Sequence, residues 1–232
     1  MIKVYYRLSN LSAGGNKTKI PNASKQNCLE NCIKEFGLEN ITVLGDKLNQ
    51  ETLNYVHSLN IKLIQVNNGT GSGTFRDALD LAIKENSDDD FVYLLEDDFL
   101  HKPNSKNILL EGLSKYDSYI TLYDHPDKYI NPQYGGNPYI EQEGENTKLV
   151  ITKSVHWKIT NSTVMSFAAR VSRLKDDYDL LLKYSSNSIT DSFKFFLELS
   201  STKGVIVLNS IPGYSTHCET AWLSPLTNWN KI

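Results

Sequence analysis

What this sequence lacks narrows its class first. Cysteine is scarce: Cys28, Cys32 and Cys218 are three in 232 residues. An odd, widely spaced set argues against a disulfide framework and favours a reducing, cytoplasmic compartment. Basic charge is not in excess, since 24 Lys and Arg face 27 Asp and Glu for a net charge of -3. No basic stripe interleaves with aromatics, so duplex nucleic acid is not an expected partner. No apolar run approaches the roughly 20 residues of a membrane span. "MIKVYYRLSN" turns polar too early for a secretory signal. A P-loop with its G-K-[ST] ending is missing, as is a G-x-G-x-x-G fingerprint after the first strand. There is no internal repeat and no low-complexity linker. The sequons at Asn10, Asn22 and Asn161 follow from an Asn-rich composition and are given no function.

What is present is a soluble globular composition, 40% hydrophobic and 22% charged, in a chain long enough for one sizeable core. The first half alternates β and α patterns. Strands are expected over "IKVYY" (2–6), "ITVLGD" (41–46), "IKLIQV" (61–66) and "FVYLL" (91–95). Between them lie helices over "ASKQNCLENCIKEFG" (23–37), "NQETLNYVHSLN" (49–60) and "TFRDALDLAIKEN" (74–86). Cys28, Leu29, Cys32, Ile33 and Phe36 share one helix face, which is core spacing; no second ligand pair supports reading the two cysteines as half a zinc site. Strands apolar on both faces and separated by helices belong to a parallel sheet covered on both sides.

The second half is less regular. "SYITLYDHPD" (118–127) precedes a long Tyr-, Pro- and Gly-rich loop (128–146), read as mobile or substrate-facing. Antiparallel segments (148–159 and 162–170), helices over about 171–184 and 190–202, and a final stretch "GVIVLNSIPGYSTHCETAW" follow. The expectation is one α/β domain over 1–232, with a mixed, mainly parallel sheet flanked by helices and an antiparallel C-terminal extension. Residues 1–100 form its nucleotide-binding half and 101–232 its acceptor and catalytic half.

In open α/β sheets ligands bind beyond the carboxyl ends of the strands. Those ends carry Tyr6, Arg7 and Ser9, then Asp46, then Asn67 to Gly73, then Glu96, Asp97 and Asp98. The last three form an acidic triplet in "FVYLLEDDFLHKPN", at the end of an apolar strand. Adjacent carboxylates repel, and desolvating even one without a partner costs several kcal/mol. A hard divalent cation shared with substrate phosphates would compensate them. A solvated, helix-capping turn is the plainer alternative, and "SDDD" (87–90), before the strand, is read as such a turn. In "NNGTGSGTFRDALDLA" three glycines precede a helix start suited to phosphate, though a flexible loop fits equally. Arg76 tips the balance, because a cation in a first turn is disfavoured unless an anion accompanies it.

Taken in order, "VLGD", "GTFRDALDLA" and "LLEDD" resemble the GT-A fold of nucleotide-sugar-dependent glycosyltransferases, the small family-2-like viral and bacterial members above all. "LYDHPDKY", "HWKITNSTVMSF", "TDSFKFF" and "PGYSTHCETAWLSP" stand where such enzymes place acceptor, catalytic and final metal-binding elements. The resemblance implies a nucleoside-diphosphate sugar as donor, UDP-linked by preference, a saccharide acceptor, and Mn2+ or Mg2+. It implies that Arg7, Ser9 and Asp46 hold the nucleoside and Arg76 the diphosphate or donor sugar. Glu96 and Asp97 would meet hydroxyls, and Asp98 and His217 would ligate the metal. Glu96 stands where the family's motif often has Asp.

The resemblance also implies transfer with inversion, which needs a base for the acceptor hydroxyl. Asp191, which opens an apolar helix at the position of the family's catalytic acid, fits that role by resemblance, as it equally fits an N-cap that Thr190 could otherwise supply. Asp124 in "YDHP" is the second candidate. His125, His156 and Trp157 suit sugar rings but suit core or surface equally, and His57 is read as structural. Two other functions fit the same residues. A sugar-phosphate nucleotidyltransferase would want a basic, glycine-rich loop after the first strand, where "YYRLSNLSAGGNKTK" has glycines and lysines in loose order. A non-catalytic nucleotide- or carbohydrate-binding module would need the strand ends and no base.

Overall fold

The structure is a computed structural model and describes residues 1–11, 18–140, 144–187 and 191–232. Its axis is β1 (Ile2–Ser9), where Val4, Tyr6 and Leu8 enter one hydrophobic core and Tyr5 the other. A strand buried on both faces needs helices on both. β2 (Ile41–Asp46) pairs with β1 in parallel, β3 (Lys62–Val66) pairs with β2, and β4 (Phe91–Glu96) lies on the other side of β1, also parallel. In this register Ser9 stands opposite Asp46 and Arg7 opposite Glu96, so the polar strand ends converge at one edge.

The helices follow from local chemistry. α1 (Lys25–Phe36) starts where the Ser24 hydroxyl accepts from Asn27 N at 3.0 Å and stops at Gly37, whose φ of 86° few other residues adopt. α2 (Gln50–Ser58) is capped by Asn49. α3 (Gly71–Glu85) begins three residues before the expected Thr74. Its glycines read as loop because glycine is a poor helix former. Thr70 overrides this by capping Gly73 N at 3.1 Å, and a Cβ on Gly73 would lie 2.7 Å from Asn68. Arg76 therefore sits in the second turn, beyond the reach of the argument that a first-turn cation demands an anion.

Beyond β4 the chain adds two short elements without a counterpart in the sequence reading, β5 (Phe99–His101) and α4 (Ser105–Lys115). β6 (Tyr119–Thr121), β7 (Leu149–Ile151), β8 (His156–Thr160) and β9 (Phe167–Arg170) follow. The helix expected over 171–184 is two, α5 (Val171–Asp176) and α6 (Tyr178–Tyr184), broken at the buried Asp177. The Asp177 carboxylate accepts from Tyr119, Arg173 and Lys203, which fixes the break. After α7 (Ser192–Lys203) come β10 (Val207–Ile211) and β11 (Ser215–His217).

One nine-stranded sheet in the order β3-β2-β1-β4-β9-β6-β10-β8-β7 runs through both halves, and β5 pairs with β11 apart from it. β9 and β8 run antiparallel to their neighbours, so the α/β expectation of a mixed, mainly parallel sheet flanked by helices holds. The described part of the long loop is fastened down. Lys128 donates to Asp127 and Ser162, Tyr129 donates to Asp124, and Asn137 donates to Asn161. Residues 141–143 of that loop lie outside the described residues.

The turn from β3 to α3 hangs on Asp46. Its fully buried carboxylate accepts from Asn68 N and Gly69 N, both at 2.9 Å, and from the Thr74 hydroxyl at 3.1 Å. Asp46→Ala is expected to cost about 3 kcal/mol in urea unfolding, because it strands donors that faced a charged acceptor; a loss below about 1 kcal/mol would mean that the turn holds itself.

A second outcome concerns acid. His101 is completely buried between Phe36 and Tyr93, and burial lowers its pKa from 6.5 to about 3. The unfolded chain takes up this proton near pH 6.5 while the folded chain resists it. Stability is therefore intact above that pH and drains away as pH falls toward about 3, by as much as roughly 4 kcal/mol. His101→Gln should flatten the dependence of the urea midpoint over this window, and an unchanged slope would place the acid sensitivity elsewhere.

Candidate functional site

Each carboxylate of the triplet meets a cation of the chain. Glu96 stands 3.4 Å from Arg7 Nη2, Asp97 lies 2.5 Å from Lys25 Nζ, and Asp98 lies 3.1 Å from Lys19 Nζ. Arg7 comes from the neighbouring strand and is held by donating to Met165 O at 2.9 Å. Lys25 opens α1, and Ser9 N donates to the same Asp97 oxygen at 2.8 Å. The β4 end is thus a half-buried alternation of sign, which is how adjacent acids are tolerated where water is partly excluded.

Beside it opens a cavity of about 720 Å3, lined among others by Arg7, Ser9, Asp46, Thr70, Asp98 and His217. It lies beyond the carboxyl ends of β1, β2 and β4, where α/β sheets bind ligands. Burial raises Glu96 and Asp97 above the usual carboxylate range, opposed by Arg7 and Lys25 respectively. Burial acts on Asp98 the same way, but His217 and Lys19 outweigh it and hold Asp98 well below that range. His217 answers in kind, since Asp98 overcomes burial and raises it.

His217 reaches the triplet because β11 pairs antiparallel with β5, placing His217 opposite Phe99, one residue past Asp98. Its Nε2 lies 2.9 Å from Asp98 Oδ2 and 3.7 Å from Glu219 Oε1. One donor atom from each of Asp98, His217 and Glu219 lies within 4.8 Å of the others. Two carboxylates and an imidazole at that spacing are a donor set for a divalent cation, nearer to Mn2+ than to the all-oxygen shell of Mg2+. Below this group Cys28 and Cys218 pack with Ile20, Leu100 and Trp229, so the cysteines are core.

The cavity gathers seven of the ten residues singled out from sequence: Arg7, Ser9, Asp46, Glu96, Asp97, Asp98 and His217. Arg76, Asp124 and Asp191 do not line it. The oxygens of Asp46 face the β3–α3 turn, so its influence on a ligand runs through the backbone it positions. Asp124 is buried and engaged by Tyr129, Asn209 and Lys158, and Lys158 also pairs with Glu145 at 3.1 Å. Asp191 is the N-cap of α7, accepting from Lys194 N at 3.0 Å and pairing with the Lys194 side chain. Thr190, the other cap candidate, lies outside the described residues.

Trp157 is core, donating to Thr152, while His156 and His57 are exposed. His125 pairs with Asp127 and lies against Tyr123 and Trp222. Lys19, Lys25 and Glu219 were missed. A signal existed for Glu219: in "THCE" it stands two residues past His217, the spacing that returns to one face of an extended chain.

No protein-family model matches the chain, and no curated protein is similar to it. Solved structures do share its fold. One described as a glucose-1-phosphate thymidylyltransferase from Bacillus anthracis, in complex with sucrose, superposes with a TM-score of 0.53 at 13% identity, covering 95% of this chain and 91% of that one. CMP:2-keto-3-deoxy-manno-octonic acid synthetase complexed with CTP gives 0.50 at 13% identity, over 91% and 92% of the two chains. One described as a nucleotide-diphospho-sugar transferase from Desulfovibrio desulfuricans G20 gives 0.50 at 9% identity, over 90% and 78%. At such identities the likeness establishes the fold: a mixed, largely parallel sheet flanked by helices, as in nucleotidyltransferase and GT-A-like structures. These neighbours are mostly nucleotidyltransferases, so they stand nearer to the nucleotidyl-transfer alternative than to glycosyl transfer.

Proposed function

We propose that the protein is a metal-dependent transferase whose donor is a nucleoside-diphosphate sugar, UDP-linked by preference, and whose acceptor is a saccharide. The observation that carries this is the Asp98, His217 and Glu219 donor group at the rim of a cavity beyond the parallel strands. These three residues would hold Mn2+ or Mg2+, which when bound offsets the charge developing on a departing nucleoside diphosphate. The chain's own residues do the rest. Arg7, fixed by Met165 O and Glu96, orients the donor without being free to collapse onto the metal. Asp97, tied to Ser9 N and Lys25, presents its remaining oxygen to hydroxyls. Asp46 shapes the turn over which the nucleoside lies, and Arg76 is proposed to serve the diphosphate from α3.

Each lining cation among the described residues, Arg7, Lys19 and Lys25, is matched by one carboxylate of the triplet, and Asp46 adds a further negative charge, so bound phosphate needs the divalent ion beside it. The second reading, nucleotidyl transfer, is favoured by the similar structures and by Lys19 and Lys25, which bring the segment after β1 to the cavity.

Thermal shift separates the outcomes. A UDP-sugar with Mn2+ should raise the melting temperature by about 5 °C at saturating ligand, and Asp98→Asn should abolish the effect. Pyrophosphate release from a nucleoside triphosphate and a sugar 1-phosphate would establish the second reading instead. No stabilisation by any nucleotide, with or without Mn2+, would end both.

Asp191 as the acceptor's base rests on sequence resemblance; Asp124, with its oxygens taken, is less suited. Asp191→Ser keeps an N-cap side chain, so its stability should stay within about 0.5 kcal/mol of wild type. Lost transfer with intact donor binding would support the catalytic role, and unchanged turnover would leave Asp191 as a cap.

A further inference from the structure

Lys19 reaches a carboxylate oxygen of Asp98, one of the three residues that could hold a cation. Its Nζ stands 3.1 Å from Asp98 Oδ2, and His217 Nε2 stands 2.9 Å from that same atom. The backbone around Lys19 is held. Ile20 N donates to Cys218 O at 3.1 Å and Thr220 N donates to Thr18 O at 2.9 Å, a bridge that sets Lys19 opposite Glu219. Ile20 is buried against Cys28, Cys218 and Trp229, so the segment is anchored from beneath as well. What can move is the side chain, a flexible four-carbon stem, 30% exposed and lining the cavity.

We propose that Lys19 competes with the metal ion for Asp98 Oδ2, so that metal binding releases its ammonium into the cavity, where the donor's phosphates lie. This rests on the metal-dependent reading above. A divalent ion and an ammonium at contact distance from one carboxylate oxygen repel each other about twice as strongly as two unit charges, more than a partly exposed ion pair gains. A metal that His217 and Glu219 would also hold is the stronger partner for Asp98, so Lys19 would be the one to leave. Because the backbone of residues 18–20 stays laced to 218–220, the exchange is a side-chain rotation and not a loop opening. Lys25 differs. Its partner is Asp97, which also accepts from Ser9 N and is not among the three donors, so Lys25 is a standing tie.

The competition sets a sign that an ordinary supporting residue would not give, since loss of a supporting residue weakens metal binding. In Mn2+ titrations of the full chain followed by electron paramagnetic resonance, with Mn2+ alone, Lys19→Gln should bind about three- to tenfold more tightly than wild type. Lys19→Arg, which keeps the charge, should stay near wild type, and Lys25→Gln should shift the affinity by less than about twofold. With Mn2+ present, UDP should bind Lys19→Gln more weakly than wild type, because the released ammonium is gone. Equal or weaker Mn2+ binding by folded Lys19→Gln, or equal tightening in Lys19→Arg, overturns the competition. Wild-type protein that binds no Mn2+ overturns the metal-dependent reading itself, whatever the variants do.

Discussion

The cavity depends on the pairing of three consecutive carboxylates at the end of β4 with three cations drawn from β1 and the segment that follows it. Glu96, Asp97 and Asp98 could not share a strand end next to Tyr6 and Leu8 as bare acids, since each desolvated charge would cost several kcal/mol. Arg7, Lys25 and Lys19 remove that cost, and in doing so they fix the loop geometry. The start of α1 is drawn toward the end of β4, and residues 18–20 are laid along the segment that carries His217 and Glu219. Removing one lysine leaves a partly exposed carboxylate with one partner fewer, Ser9 N for Asp97 or His217 for Asp98, which costs less than the penalty on the order of 3–5 kcal/mol for breaking a fully buried pair. Structure and site therefore share one electrostatic cause.

The same principle governs the second half of the chain, with a different result. Lys158 and Lys128 are almost fully buried, each between acidic and hydroxyl partners, and together they pin the described part of the long loop to β8. There the pairs close on themselves and do not line the cavity. Asp124 belongs to this closed network, and a carboxylate so occupied holds the loop down more readily than it removes a proton. The contrast between the two networks lies in what surrounds them: the β4 end faces a cavity, and the Asp124 cluster faces protein.

Much of this was legible from residues alone, for reasons that can be named. β1, β2 and β4 announce themselves because they are apolar on both faces, and the triplet stands out because repelling charges do not end a buried strand without a partner. His217 was reached through family resemblance; its delivery by β5 was not visible, since a three-residue strand has no period to detect. Lys19 and Lys25 were hidden because a single lysine in a loop or at a helix start carries no pattern, and their acids lie 79 and 72 positions away. The start of α3 was misplaced by three residues because Gly71 and Gly73 argue for loop, while Thr70 and the anchored turn impose helix. Asp191 could be cap or base from sequence, since one carboxylate suits both, and the structure displays the cap.

A last constraint comes from distance along the chain. Asp98 and His217 are 119 residues apart, and they meet because β11 docks on β5. A donor group divided in this way does not exist in a partly folded chain, so a ligand that bridges it binds the native state alone and adds its full binding free energy to stability. The Asp98–His217 contact joins the site to β11, and Cys218 O accepts from Ile20 N in the segment that carries Lys19. The segment after β1, through Lys19, and β11, through His217, thus converge on the one carboxylate that follows β4.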